Sequence, residues 1–205
     1  MTLTFSNFGL QARDYLDRLY SCFSGVILEQ IEVFAQDLQT AWFEGHQVYI
    51  CGNGGSAANA MHMANDFHYG IGACGPGPKL AGLRVEALPA NAGLITCLAN
   101  DTGYENIYSH QLEVKGRPGD LLIVLSGSGN SPNVVKALET SKQIGLRSYA
   151  ILAFSGGRCR DLADVPIHFP IDDMQIAEDT QLIVGHLCMQ WLSSNKSVFS
   201  GFPSN

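Results

Sequence analysis

Short apolar runs alternate with longer stretches of helical period along most of this chain. Gln47 to Cys51, Leu83 to Leu88, Leu121 to Leu125, Ser148 to Ala153 and, more weakly, Val165 to Phe169 read as strands, because their apolar residues run on without the alternation of a half-exposed sheet. Helices are predicted over residues 57–70, 91–99, 104–113 and 132–144, after Gly157, and from Gln175 to Leu192. The order strand, helix, strand predicts an α/β fold of three layers, with helices on both faces of a parallel sheet. Ahead of the first strand, Phe8 to Phe43 is helical in pattern. Ile27, Ile31, Phe34, Leu38 and Trp42 recur on one face, and a break near Ser24-Gly25 divides the segment into two helices. Its apolar content exceeds what one sheet face needs, which suggests packing against another subunit, with ordinary core as the alternative. The Gly/Pro run from Gly70 to Lys79 predicts a loop.

Two strands end in corners rich in Gly and Ser, CGNGGS at 51–56 and SGSGNS at 126–131. In the first, Gly52, Gly54 and Gly55 allow a sharp turn and close approach of a ligand, and Ser56 is placed to cap the next helix. Backbone N–H groups and the positive end of the helix dipole meet there, which favours an anion. In the second, Pro132 stands where a first helical position tolerates it, and Ser126, Ser128, Asn130 and Ser131 add side-chain donors. Both corners lie at carboxyl ends of strands, where open parallel sheets bind ligands.

The chain has 205 residues, 46% hydrophobic and 15% charged. That length buries roughly 70% of the unfolded surface as one unit. Residues 1–205 read as a single domain, with a helical oligomerisation segment over 1–45 and an α/β sandwich over 46–205. The net charge of −7, with Lys and Arg scattered, argues against a nucleic-acid or anionic-membrane footprint, so a bound phosphate must rely on dipoles. There is no signal-peptide pattern and no window near the roughly 20 apolar residues of a membrane span, and a cytoplasmic location is expected. Cys22, Cys51, Cys74, Cys97, Cys159 and Cys188 are widely spaced without a CxxC pair, and are expected to be reduced and mostly buried.

His62 and Asp66 are one helical turn apart on the helix after the first corner, a spacing that suits a divalent metal or an acid/base pair. An isolated pair of this kind is more often a solvated surface feature, but the last predicted helix changes the balance. There Asp179 and His186 share a face, Glu178 is turned by roughly 80° on ideal geometry, and Ile176, Leu182, Ile183 and Leu187 mark the helix as largely buried. Buried acids and a histidine need partners. A competing reading takes GNGGSA at 52–57 as a dinucleotide fingerprint. The acid expected about 20 residues further on is missing, and the Gly/Pro run stands in its place.

Taken together, CGNGGSAANAMH (51–62), LANDTGY (98–104), LSGSGNSPNVVKAL (125–138) and QIAEDTQLIVGH (175–186) resemble the sugar isomerase (SIS) fold. The resemblance is to the phosphoheptose isomerases and their initiator-associating relatives in particular, and it covers most of the chain. It implies a five-stranded parallel, flavodoxin-like sheet and a cytoplasmic homotetramer. The implied reaction converts sedoheptulose 7-phosphate to D-glycero-D-manno-heptose 7-phosphate through an enediol(ate), with a divalent metal, zinc by expectation. By the same resemblance Ser126, Gly127, Ser128 and Ser131 bind phosphate; Asn53, Gly54, Gly55, Ser56, Asn100, Asp101 and Glu178 bind the sugar. His62, Asp66, Glu178 and His186 would hold the metal. Asp66, Glu178 and His186 would be the catalytic groups, with a carboxylate as base and His186 as acid.

Three positions depart from the family pattern. Asp66 replaces a glutamate, shorter by one methylene; Glu178 replaces a glutamine; Gly70 replaces an arginine. These changes keep alternatives open: a non-catalytic sugar-phosphate-binding or initiator-associating tetramer, or an isomerase of another sugar phosphate.

Overall fold

In a computed structural model, residues 7–196 are described. Two helices lead, α1 (Phe8–Ser21) and α2 (Gly25–Glu44), divided where the sequence predicts, at Ser24-Gly25. Then β1 (Gln47–Gly52), α3 (Gly55–Asn65), α4 (Ile71–Ala73), β2 (Arg84–Ala87), α5 (Ala92–Thr102), α6 (Ser109–Lys115), β3 (Leu121–Ser126), α7 (Pro132–Ile144), β4 (Arg147–Leu152), α8 (Gly157–Leu162), β5 (Val165–His168) and α9 (Met174–Asn195) follow. Every strand pair is parallel, in the order β2-β1-β3-β4-β5. This is the flavodoxin-like order, whose reversal point lies between β1 and β3.

Successive strand residues feed opposite cores, which is why the strands read as unbroken apolar runs. Val48, Ile50, Leu121, Ile123 and Leu125 pack with α2, α3 and α9 on one face. Tyr49, Cys51, Leu122 and Val124 pack with α6, α7 and α8 on the other. In α2 the predicted stripe is the buried one, from Ile27 to Trp42, and Phe34 meets the Tyr149 ring at 4.7 Å. By contrast α1 buries nothing: Phe8 is 81% and Tyr20 85% exposed. The polar groups that fix α1 are Arg18, whose Nη1 donates to Asp173 Oδ2 at 2.7 Å, and Tyr15, whose hydroxyl donates to Asp179 Oδ2 at 2.5 Å.

Several expectations need correction. The Gly/Pro run is not loop from its start: helix continues through a π-helical turn over Asp66–Gly70 into α4 before the chain opens. The wider turn goes with Phe67 leaving its carbonyl to Leu83 N–H at 2.9 Å, which ties the helix to the chain entering β2. The helix expected over 104–113 is split into a 3₁₀ turn (Tyr104–Asn106) and α6. Ser56 does not cap α3; the cap position belongs to Gly54 and the Ser56 hydroxyl is used elsewhere. Of the cysteines, Cys51, Cys159 and Cys188 are buried, but Cys74 and Cys97 are exposed.

Gly82 is required by space rather than by φ. A Cβ there would fall on the carbonyl oxygens of His68 and Phe67, which are fixed backbone of the π turn. At Gly45, with φ of 74°, a Cβ would meet nothing within 4 Å, and only the left-handed conformation is at stake. Gly82→Ala should therefore lose about 3 kcal/mol and Gly45→Ala only about 1 kcal/mol, compared by thermal denaturation. Equal losses would remove the steric account of the π turn.

Candidate active site

The first corner joins β1 to α3 at the sheet's reversal point, beside β3, with Gly52 level with Leu125. Gly54, at φ 56° and ψ −122°, takes a conformation open to glycine. Gly55 is needed for another reason: a Cβ would run into the Glu178 carboxylate, which lies directly against the start of α3. A carboxylate at a helix N-terminus is favoured by the dipole. Tyr108 donates its hydroxyl to the Gly52 carbonyl, and burial pushes that phenol well above its usual range, so it stays a donor.

The second corner is braced by its own side chains. Ser126, buried, accepts from Gly129 N–H at 3.0 Å; Ser128 accepts from Asn130 N–H at 3.3 Å; Asn130 donates to the Ser128 carbonyl and accepts from Arg158 N–H at 3.0 Å. A hydroxyl that accepts one bond still has its own proton to give. Ser131 stands at the cap position of α7 and makes no capping bond, with Pro132 next. Gly127 is hemmed in by Met174 and Phe154, so that both side chains wall this corner.

The two corners are joined by an amide pair that the sequence did not disclose. Asn53 Nδ2 donates to Asn133 Oδ1 at 2.9 Å and Asn133 Nδ2 returns a bond to Asn53 Oδ1 at 2.8 Å. Tyr104 adds its hydroxyl to Asn53 Oδ1 at 3.0 Å. Asn53, Tyr104, Glu105, Ser131 and Asn133 line one cleft of about 350 Å³. Asn100 and Asp101 sit on exposed α5 and bond each other at 2.7 Å. The link from that segment to the first corner runs through Tyr104.

α3 and α9 lie side by side in parallel, Ser56 level with Gln181, His62 with His186 and Gly70 with Met189. Three ligand-type atoms converge between them. His62 Nε2 is 2.9 Å from His186 Nε2, and Asp66 Oδ2 is 3.4 Å from the first and 3.5 Å from the second. A tetrahedral zinc with bonds of about 2.0–2.1 Å has ligand atoms roughly 3.3–3.4 Å apart, so two imidazoles and a carboxylate at these spacings fit a small divalent cation. Among the described residues these three form the cluster with such spacing, and both histidines are exposed to solvent.

Glu178 is outside that cluster, over Gly55, and half-buried. Asp179, which the helical wheel favours, is engaged by Tyr15; burial first and then Asp179 raise the Tyr15 hydroxyl to about 12, so it remains a donor. Neither Asn59 nor Gln181 is assigned a role by the sequence pattern, although Gln181 stands on the last predicted helix with Glu178 and His186. Asn59 Nδ2 donates to Gln181 Oε1 and to the Glu178 carbonyl, each at 3.0 Å, and Gln181 Nε2 donates to Ser56 Oγ at 3.0 Å. Their signal was a polar residue three before His62 and five before His186, on helices otherwise apolar toward the core.

Residues 13–153 match the family model for the SIS domain. A phosphoheptose isomerase from Akkermansia muciniphila is 37% identical over 162 residues, 78% of this chain and 80% of its own. One from Chlorobaculum parvum is 36% identical over 165 residues, 80% and 78% of the two chains. In three dimensions, the phosphoheptose isomerase of Neisseria gonorrhoeae superposes with a TM-score of 0.80 at 23% identity, over 90% of this chain and 95% of that one. With both glycine corners in place at the mouth of a five-stranded parallel sheet, the chain belongs to the SIS-domain family, on its phosphoheptose-isomerase branch.

Proposed function

We propose that this protein is a phosphoheptose isomerase, interconverting sedoheptulose 7-phosphate and D-glycero-D-manno-heptose 7-phosphate. The observation that carries the reading is the convergence of His62, Asp66 and His186 within 3.5 Å of one another, on helices that begin beside an anion-favouring corner. In this reading the phosphate sits on the 126–131 turn at the start of α7, with Ser128 and Ser131 as donors, and the sugar extends past Asn53 and Tyr104. Gly54 and Gly55 give it close approach to backbone. Asn100 and Asp101 would close on its hydroxyls from α5.

His62, Asp66 and His186 would hold a divalent ion, zinc by its fit to that donor set. When bound, such an ion polarises a carbonyl and favours negative charge on its oxygen. Glu178 is the better placed base, because its carboxylate stands apart from the cluster while Asp66 faces both imidazoles. Glu178 takes a proton from C1 of the ketose, the C1–H electrons form the C1–C2 double bond, and the C2 carbonyl becomes an enediolate oxygen. The proton returned to C2 completes the aldose as another passes from the C1 to the C2 oxygen; His186 moves that proton when its Nε2 is free, since a ring nitrogen that holds the ion has no lone pair to take one. As a fourth ligand, in the place where the family pattern has a glutamine, Glu178 would instead move inward on binding.

The same reading makes the whole chain one working unit, assembled as a cytoplasmic homotetramer through the 1–45 segment, without nucleic-acid or membrane partners. The exposed apolar side chains of α1 support assembly. No described helix is long and apolar enough to cross a membrane.

Proton NMR of sedoheptulose 7-phosphate with the protein in deuterated water tests this directly. Incorporation of carbon-bound deuterium with growth of the aldose signal is expected, and its loss on chelation followed by recovery with zinc. Binding without exchange would replace the enzyme by a sugar-phosphate-binding tetramer. His186→Ala should lower kcat by about 10²–10⁴-fold with little change in KM; full turnover would remove its role. Glu178→Gln should abolish exchange; exchange retained there but lost in Asp66→Asn would move the base to Asp66. Ser131→Ala should raise KM for the phosphate ester by about tenfold with kcat nearly unchanged, as for a lost hydrogen bond to a charged group.

A further inference from the structure

We propose that Gln181, with Asn59 and Ser56, is the positioning clasp that sets the spacing of His62 and His186; the proposal rests on the reading of that cluster as the reactive centre. Gln181 is 1% exposed and Ser56 4%, yet both are polar. Their bonds form one chain across the helix interface: Ser56 Oγ accepts from Gln181 Nε2, Gln181 Oε1 accepts from Asn59 Nδ2, and Asn59 Nδ2 also holds the Glu178 carbonyl. A buried amide with both ends satisfied has one orientation, and a shift of either helix along the other breaks several bonds together.

The clasp lies at the N-terminal ends of both helices, one turn before His62 on α3. Beside the cluster itself Gly185 lets α9 close on Met63, whose Cγ would lie 2.9 Å from a Cβ at that position. Packing sets the distance between the helices there, but apolar contacts tolerate sliding. The directional bonds of Gln181 fix the axial register, and register decides whether the two Nε2 atoms meet. Ser56 is 4% exposed and its hydroxyl is engaged by Gln181, so the sugar contact expected of it falls to Gly54 and Gly55, and the clasp acts through the imidazoles and through the backbone of Glu178.

The test uses Gln181→Leu, of similar size, and the milder Ser56→Ala, which keeps the fold accessible to measurement if the first variant unfolds. Ser141→Ala, a buried hydroxyl on α7 far along the chain from the cluster, is the control for general loss of stability. Zinc affinity of the chelator-stripped protein, measured against a competing indicator, should fall about 10–100-fold in Gln181→Leu and less in Ser56→Ala. It should be unchanged in Ser141→Ala at matched loss of melting temperature. Crystal structures of metal-free parent and variant should show the His62–His186 separation lengthened in the variant. An unchanged separation, or zinc affinity within twofold of the parent in both clasp variants, overturns the proposal. A parent that binds no zinc sinks the metal reading, and the metal-free separation still decides the clasp.

Discussion

Close approach of α3 and α9 is the constraint on which the site depends. Two helices on the same sheet face ordinarily stand 8–10 Å apart, with side chains between them. Here glycines stand at the points of contact: Gly55 under Glu178, Gly185 against Met63, Gly70 against Met189. With side chains removed at those places, His62 and His186 reach each other across the gap instead of being held off by their neighbours. The π turn at Asp66–Gly70 belongs to the same arrangement, since it gives the Phe67 carbonyl to Leu83 at the entry to β2 while Gly70 stays against Met189 of α9. At the far end the buried Lys196 ammonium donates to the carbonyls of Gly72 and Cys74, at 3.0 and 2.6 Å, so the pair of helices is tied by polar bonds beyond both sides of the cluster.

An acidic protein that takes a phosphate needs another source of positive potential, and the two corners supply it. Neither CGNGGS nor SGSGNS contains Lys or Arg. Each turns a strand end into a helix start, where unpaired N–H groups and the dipole act together. The bracing within 126–131 spends side chains on holding the turn open, and the Asn53–Asn133 pair locks its position relative to the first corner. Rigidity of this kind lowers the ordering cost of binding, which matters more where each donor is a single backbone amide.

The strands were legible because burial on both faces leaves no polar positions to interrupt them, and the two corners because glycine and serine at strand ends have few structural uses. Helix ends were read less well. Ser56 looks like a cap, but Gln181, remote in sequence, claims its hydroxyl, and no local pattern discloses a partner so distant. The π turn escaped for a similar reason: it depends on Leu83 taking the Phe67 carbonyl, a bond made only after β2 is in place. Between Asp179 and Glu178 an ideal wheel chose the first, which the fold gives to Tyr15. The same limit applies to Asn133, which reads as an ordinary residue of a helix start until Asn53 is brought opposite to it.

The contacts of α1 reach the helix that carries Glu178 and His186. Arg18 bonds Asp173, the residue that caps α9 through its own carboxylate, and Tyr15 bonds Asp179 beside Glu178. Whatever covers the exposed apolar face of α1 therefore also holds the first two turns of the helix that carries Glu178 and His186. Since α1 buries nothing within the chain, these bonds have little packing behind them and are worth little alone in solvent. Covering α1 would order the helix and reduce the solvent competing for both bonds. In an assembly that covers α1 the start of α9 would be firmest, and the placement of Glu178 relative to the first corner would then depend on association as well as on the fold of one chain.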